Sequence, residues 1–266
     1  MGINLYTTFY NESNSARRQE LISCLLKNAN NPQISSIVVF NEGNSLKSMM
    51  PSKLIEVSID KRPLYDDFIG YINSEGSSDD FHMIANTDIF FDENIGVLND
   101  LNWNNTCFAL SRYDTTEGEK PLLYNHNDSQ DVWVFKGSIK EGLKAPYPLG
   151  VPRCDNRFMY DLETAGYNVL NPAFSIKVFH MHEGQRAVVY QEADNIFRIS
   201  PPYRYKYPHN VFGLFKTIQH NVLKKNKLGK YHYDIKKINN WIPVRLARKF
   251  IEVVLRRKFP LIGYKS

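Results

Sequence analysis

Between positions 3 and 182, short β-branched or aromatic runs alternate with segments whose apolar residues recur every three to four positions, and this alternation constrains the fold more than any other feature of the chain. Residues 3–9, 34–40, 53–59, 81–85, 106–110, 132–135 and 175–182 read as strands. Residues 16–28, with Leu21, Ile22, Leu25 and Leu26 among charges, read as the first helix, and 65–73 and 156–165 as two more. Asn41-Glu42-Gly43 is a turn, Gly76-Ser77-Ser78-Asp79-Asp80 a polar loop, and Gly166 stops the third helix. Strands and helices in this order predict an α/β fold with a mostly parallel central sheet covered by helices. With 266 residues, 42% of them apolar, the chain can build one large domain or a medium one with an appendage, which excludes disorder and a disulfide-stapled mini-fold.

Charge divides the chain at Ser200-Pro201-Pro202-Tyr203. Residues 201–266 hold sixteen Lys/Arg against two acids, Asp234 and Glu252, a net +14, whereas residues 1–200 are net −9. The expected organisation is a domain over 1–200 and a basic, mainly helical extension over 201–266. Val244, Ala247, Phe250, Ile251 and Val254 interleave there with Arg245, Arg248, Lys249, Glu252 and Arg256, a basic amphipathic pattern with Trp241 and Phe259 as interfacial anchors. Residues 239–266 can meet an anionic membrane surface, at about 1 kcal/mol per basic residue, or pack on the body with the basic face solvated. Nucleic acid, stacking on Tyr203, Tyr205, Tyr207 and Tyr231, is the least favoured partner.

Cys24, Cys107 and Cys154 are too few and too far apart for a zinc knuckle or a disulfide framework, so they read as small buried hydrophobes in a reducing compartment. No apolar run approaches the ~18 residues of a membrane span, and the first residues lack the charged flank and apolar stretch of a signal peptide. The expected location is cytoplasmic, at most peripheral on the inner face of a membrane.

Four segments carry candidate chemistry. The apolar run Met83-Ile84-Ala85 leads straight into Asn86-Thr87-Asp88, which puts Asp88 just past the carboxyl end of a strand, where open α/β sheets hold their ligands. A carboxylate there, with a diphosphate completing the shell, suits Mg²⁺ or Mn²⁺; an Asx-turn formed by Asn86 and Asp88 fits the same spacing. Ser129-Gln130-Asp131 offers donors and acceptors suited to hydroxyls ahead of an aromatic strand, in which Trp133 and Phe135 read as core before they read as a sugar-stacking platform. Asp155 follows a Gly/Pro loop at the start of a helix, where it serves as an N-cap and, with its second oxygen free, as a general base. His180 and His182 share one face of a strand by the two-residue period, so both imidazoles can look into one site beside a metal carboxylate.

These segments, in this order over roughly residues 1–185, resemble a nucleotide-sugar glycosyltransferase of the GT-A class, of the bacterial or viral polysaccharide-biosynthesis type. Tyr6-Thr7-Thr8-Phe9-Tyr10-Asn11-Glu12 looks like the family's first strand and nucleotide-contacting loop, Asn86-Thr87-Asp88 like its DXD motif with the first acid replaced, and Cys154-Asp155-Asn156 like its acidic catalytic motif. The resemblance implies a GT-A fold in which Thr8, Phe9 and Glu42 lie near base and ribose and Arg62 near base or diphosphate. It further implies that Asn86 and Asp88 meet the nucleotide-sugar, that Asp88 with His180 or His182 holds Mn²⁺ or Mg²⁺, and that Arg112 and Asp131 lie over the donor sugar. Asp155 would then deprotonate the acceptor. The implied activity is transfer of a hexose from a nucleotide-sugar, UDP-sugar favoured, to a hydroxyl of a glycan or lipid-linked saccharide, with inversion. Two other readings stay open: a metal-dependent phosphotransferase or nuclease using Asp88, Asp92 and Asp131, and a non-catalytic carbohydrate-binding protein.

Overall fold

A computed structural model describes residues 1–46, 52–101, 103–115, 120–181, 198–210, 223–225, 231–233, 238–239 and 241–255. Met1–Pro208 forms one compact unit and His209–Ser266 a second. The chain therefore stays with the first unit for eight residues past Ser200, since the Arg204 N–H reaches the Asn156 carbonyl (3.0 Å) and the Lys206 N–H that of Asn127 (3.0 Å).

In the first unit the order is β1 (Ile3–Phe9), α1 (Ser15–Asn30), β2 (Ile34–Asn41), β3 (Leu54–Ser58), α2 (Tyr65–Glu75), β4 (Phe81–Ala85), β5 (Ile89–Phe91), a 3-10 helix (Glu93–Asp100), β6 (Thr106–Leu110), β7 (Tyr113–Thr115), β8 (Leu122–Leu123), β9 (Val132–Lys136), α3 (Cys154–Thr164), β10 (Asn168–Leu170) and β11 (Val178–Met181). Seven strands make the central sheet in the order β10-β6-β9-β4-β1-β2-β3. All run parallel except β9, which is antiparallel to both β4 and β6. The mixed α/β fold with a mostly parallel sheet is thus what the alternation of patterns demands.

Side chains sort by the two-residue period of the strands. Leu5, Met83 and Val134 join Leu21 and Leu25 of α1 on one face, while Tyr6, Ile84 and Trp133 join Phe68 of α2 and Phe158 of α3 on the other. A sheet buried on both faces explains the near-continuous apolar runs. Trp133 and Phe135 are fully buried, so they are core and not a sugar platform; Trp133 packs edge-on against Tyr65 and Phe158. The three cysteines are free and buried.

The reversal of β9 brings together two segments far apart in sequence. Val132 pairs with Ala85, so the start of β9 lies beside the end of β4, and the Asn86 N–H bonds the Asp131 carbonyl at 3.2 Å. A second, four-stranded sheet, β5-β11-β7-β8, pairs His180 with Ile89 and with Asp114. In the second unit β12 (Leu223–Lys225) and β13 (Tyr231–Tyr233) pair antiparallel, and α4 spans Ile242–Val254 with Pro243 in its first turn, where a missing N–H is harmless. Among the described residues no helix is long and apolar enough to cross a membrane.

Candidate active site

The carboxyl ends of β1 and β4, the start of β9 and the first turn of α3 converge on a cleft of about 670 Å³. Thr8, Arg62, Asn86, Asp88, Arg112, Asp131 and Asp155, all expected at the site, line it. Phe9 does not: it is buried in the core beneath β1. Glu42 is exposed at the end of β2, outside the lining, with its N–H on the Phe9 carbonyl at 2.9 Å. His182 lies outside the described residues.

Asp88 is held within a chain of alternating charges that runs from Glu20 to Asp131. Its Oδ2 accepts from the Arg17 guanidinium and lies 3.2 Å from His180 Nε2, while Oδ1 is buried with no hydrogen-bond partner among the described residues. Arg17 also donates to Glu20 (2.7 Å). The other ring nitrogen of His180 meets Asp114 at 3.1 Å, Arg112 Nε donates to Asp114 at 2.8 Å, and Arg112 Nη1 reaches Asp131 at 3.1 Å. Asp131 in turn accepts from the Asn86 amide at 3.0 Å. Burial by itself would raise the Asp88 carboxyl, but the His180 bond and the Arg17 charge hold it well below the usual carboxylate range. Burial would likewise lower the His180 imidazole, yet its bonds to Asp114 and Asp88 carry it above its ordinary value.

Asp155 is tuned the other way. The structure starts α3 at Cys154, two residues earlier than the pattern suggested, and makes Arg153 the cap, in the left-handed region at φ 71°. Asp155 therefore sits inside the first turn and is not the N-cap; the turn made by Arg153 moves it there. Its oxygens accept the backbone N–H groups of Asn156 (2.8 Å) and Gln130 (3.3 Å). Burial, only partly offset by the Asn156 N–H, together with the charge of Asp131 pushes the carboxyl up to about 7. A carboxylate poised there can take a proton at neutral pH.

Arg62 lines the cleft beside Gly150, whose φ of 75° only glycine adopts without strain; a Cβ at that position would come within 2.9 Å of Arg62 Nη2. Arg112 lies over the Tyr124 ring at 4.6 Å, which fixes its plane. Thr8 and Thr87 bond through their hydroxyls at 2.8 Å, joining the ends of β1 and β4. Asp92 is spent elsewhere: both its oxygens accept from Asn94 at the start of the 3-10 helix, so it gives Asp88 no second metal carboxylate. Among the described residues no group of three or more His, Cys, Asp or Glu is arranged to hold a metal ion.

Arg17 stands in no motif, and Asp114, in the segment Ala109-Leu110-Ser111-Arg112-Tyr113-Asp114 that shares in the resemblance, was given no role. Arg17 did leave a signal: a cation in the first turn of a helix opposes the macrodipole, and such local violations tend to mark functional groups. The contact of Asp114 with His180 depends on the pairing of β7 with β11 across 66 residues.

Comparison with known proteins finds no matching family model and no matching curated protein. Solved structures similar to the chain include S. aureus TarS 1-349 in complex with UDP-GlcNAc, at TM-score 0.49 and 8% identity over 70% of this chain and 60% of that one. GalNAc-T7 with UDP, GalNAc and Mn²⁺ is similar at TM-score 0.38 and 10% identity, covering 73% of this chain and 46% of that one. The 2-C-methyl-D-erythritol 4-phosphate cytidylyltransferase of Francisella tularensis is similar at TM-score 0.35 and 11% identity, covering 71% and 96%. The chain thus spans 60% or less of the length of the first two.

Proposed function

We propose that this protein is a glycosyltransferase that moves a sugar, a hexose by its resemblance, from a nucleotide-sugar donor, UDP-sugar favoured, to a hydroxyl of a glycan or lipid-linked saccharide. The observation that carries this reading is one cleft holding two aspartates tuned in opposite directions, Asp88 kept ionised by His180 and Arg17 and Asp155 raised to about 7. Opposed tuning of two carboxyls that line one cleft assigns separate roles to them. Asp155 accepts the proton of the acceptor hydroxyl as that oxygen forms its bond to the anomeric carbon. The bond from that carbon to the diphosphate breaks, and the nucleoside diphosphate leaves with the electron pair. A single base on the acceptor side corresponds to inversion. Arg62, free to approach over Gly150, meets the negative charge that develops on the diphosphate, and Arg112 with Asp131 and Asn86 presents fixed partners to the donor sugar.

Asp88 and His180 fit a divalent cation. Asp88 keeps an orphaned buried oxygen, His180 Nε2 is 3.2 Å from the other, and the far ring nitrogen is steadied by Asp114 as metal-bound imidazoles ordinarily are. These two side chains would hold Mn²⁺ or Mg²⁺, which when bound neutralises a departing diphosphate.

The acceptor side of the proposal includes an anionic membrane surface met by α4. Leu246 (62% exposed), Phe250 (62%) and Val253 (67%) form a stripe at helical spacing on a segment whose charge is strongly positive. Half-buried Val244 and Ile251 lie on another side of the helix, so the exposed stripe differs from the one the spacing suggested. Vesicles of phosphatidylglycerol should retain the full chain and release a chain cut before 239; retention of the truncated chain would end this part of the proposal.

The test of the transferase is nucleotide release from UDP-, GDP-, CMP- and dTDP-sugars by the full chain. Turnover of one donor, reduced about 10²- to 10⁴-fold in Asp155→Asn with nucleotide affinity kept, is the expected result. Full turnover in Asp155→Asn would remove the base, and cleavage of nucleic acid with no donor turnover would favour a phosphotransferase or nuclease.

A further inference from the structure

We infer that Arg17 couples cation binding to donor binding: its guanidinium holds Asp88 while the cleft is empty and passes to the donor's diphosphate when a divalent cation takes Asp88. The inference rests on reading the cleft as a nucleotide-sugar site with a cation at Asp88.

Three observations lead to it. Arg17 pairs with the same Asp88 oxygen that faces His180 Nε2, so a cation held by these two side chains would enter where the guanidinium now sits. A divalent ion and a guanidinium on one carboxylate oxygen, in a buried setting, repel each other strongly. Arg17 must then leave, and it has somewhere to go. Its side chain is 22% exposed and lines the cleft, its Nη1 stays anchored by Glu20 at 2.7 Å, and only two of its five N–H donors are bonded within the described residues. A diphosphate beside Asp88 offers the negative charge that Arg17 gives up, and a planar fork of N–H donors suits phosphate oxygens. Cation and diphosphate therefore help each other to bind, each relieving the ion pair that the other must break, and the help is reciprocal. A purely structural Arg17–Asp88 pair would show no such coupling, because a structural pair stays closed in both states.

The test uses Mn²⁺ alone, titrated into the full chain and followed by loss of the free-ion electron paramagnetic resonance signal. Arg17→Gln should bind Mn²⁺ at least tenfold tighter than wild type without nucleotide, while Arg17→Lys, which keeps the competing charge, stays within about threefold of wild type. The double variant Arg17→Gln, Asp88→Asn should lose the tightened site, which places it at Asp88. Adding UDP should tighten Mn²⁺ binding more in wild type than in Arg17→Gln. Should Arg17→Gln melt before the titration, Arg17→Met, which keeps the length of the stem, replaces it. Equal or weaker Mn²⁺ binding in Arg17→Gln overturns the role of Arg17 and leaves the cation site standing. A different result, no Mn²⁺ retained by either protein even with UDP present, withdraws the cation from Asp88 and takes the inference with it.

Discussion

Replacing Asp155 by Asn should stabilise the protein far more at pH 8 than at pH 4.5. In the folded protein the carboxyl is raised from 3.8 to about 7, chiefly by burial, whereas in the unfolded chain it titrates at its ordinary value. Between these values the folded state keeps a proton that the unfolded state has lost. Stability therefore falls as pH rises from about 4 to about 7, and the loss is complete above that. Three pH units at 1.36 kcal/mol each amount to about 4 kcal/mol. Asn has the shape and neutrality of the protonated acid, and its one carbonyl oxygen can keep the 2.8 Å bond from the Asn156 N–H. At pH 4.5 wild type has thus lost only about 1 kcal/mol, and by pH 8 the variant escapes an ionisation that costs about 4 kcal/mol at most. Urea unfolding of both proteins at pH 4.5, 6, 7 and 8 measures the difference directly, since all other titrating groups are common to both. A difference that stays flat with pH, or a variant less stable at pH 8, would refute the reasoning. The same variant loses transfer activity, the trade of stability against function that an active-site group shows.

The same carboxyl sets the rate profile: kcat/KM should rise with pH and level off above about 7 as Asp155 loses its proton, measured as nucleotide release across pH 5 to 9. Gly150→Ala places a Cβ within 2.9 Å of Arg62 Nη2 at a φ of 75°, so it should destabilise the fold by about 1–2 kcal/mol and weaken UDP binding in a calorimetric titration. Phe158→Ala empties the space between Tyr65 (stacked at 4.1 Å) and Trp133 under α3, and should lower the unfolding free energy by about 3–5 kcal/mol, read from urea denaturation.

The central sheet was legible because its middle strands β4, β6 and β9 are buried on both faces and so read as near-continuous apolar runs; β4 and β6 fall at the expected positions to the residue. The end of β4 was legible for the same reason, since an apolar run that stops at Asn86-Thr87-Asp88 delivers Asp88 just past the carboxyl end of the strand. The second sheet was not. Strands of two or three residues, such as β5, β7 and β8, carry no periodicity, and β11 pairs with β5 and β7 across 66 positions or more. His180 was found by its strand, but that it meets Asp88 from one nitrogen and Asp114 from the other follows only from that pairing. The antiparallel course of β9 was likewise hidden, because parallel and antiparallel buried strands have the same composition, yet it is what sets Asp131 beside Asn86. Phe9 shows the limit of carrying a family role onto a position: the side chain at the end of β1 points by its register into the core.

The most direct measurement of the central claim is thermal denaturation of the full chain with UDP, GDP, CMP and dTDP, each with and without Mn²⁺. A nucleotide at 100 times its dissociation constant stabilises by about 2.7 kcal/mol, roughly 5–10 °C for a protein of this size. The account predicts that one nucleotide raises the midpoint, that Mn²⁺ enlarges that shift, and that Mn²⁺ alone moves it little because Arg17 holds Asp88. No shift with any nucleotide, with or without Mn²⁺, while oligosaccharides or DNA do stabilise the protein, would contradict it.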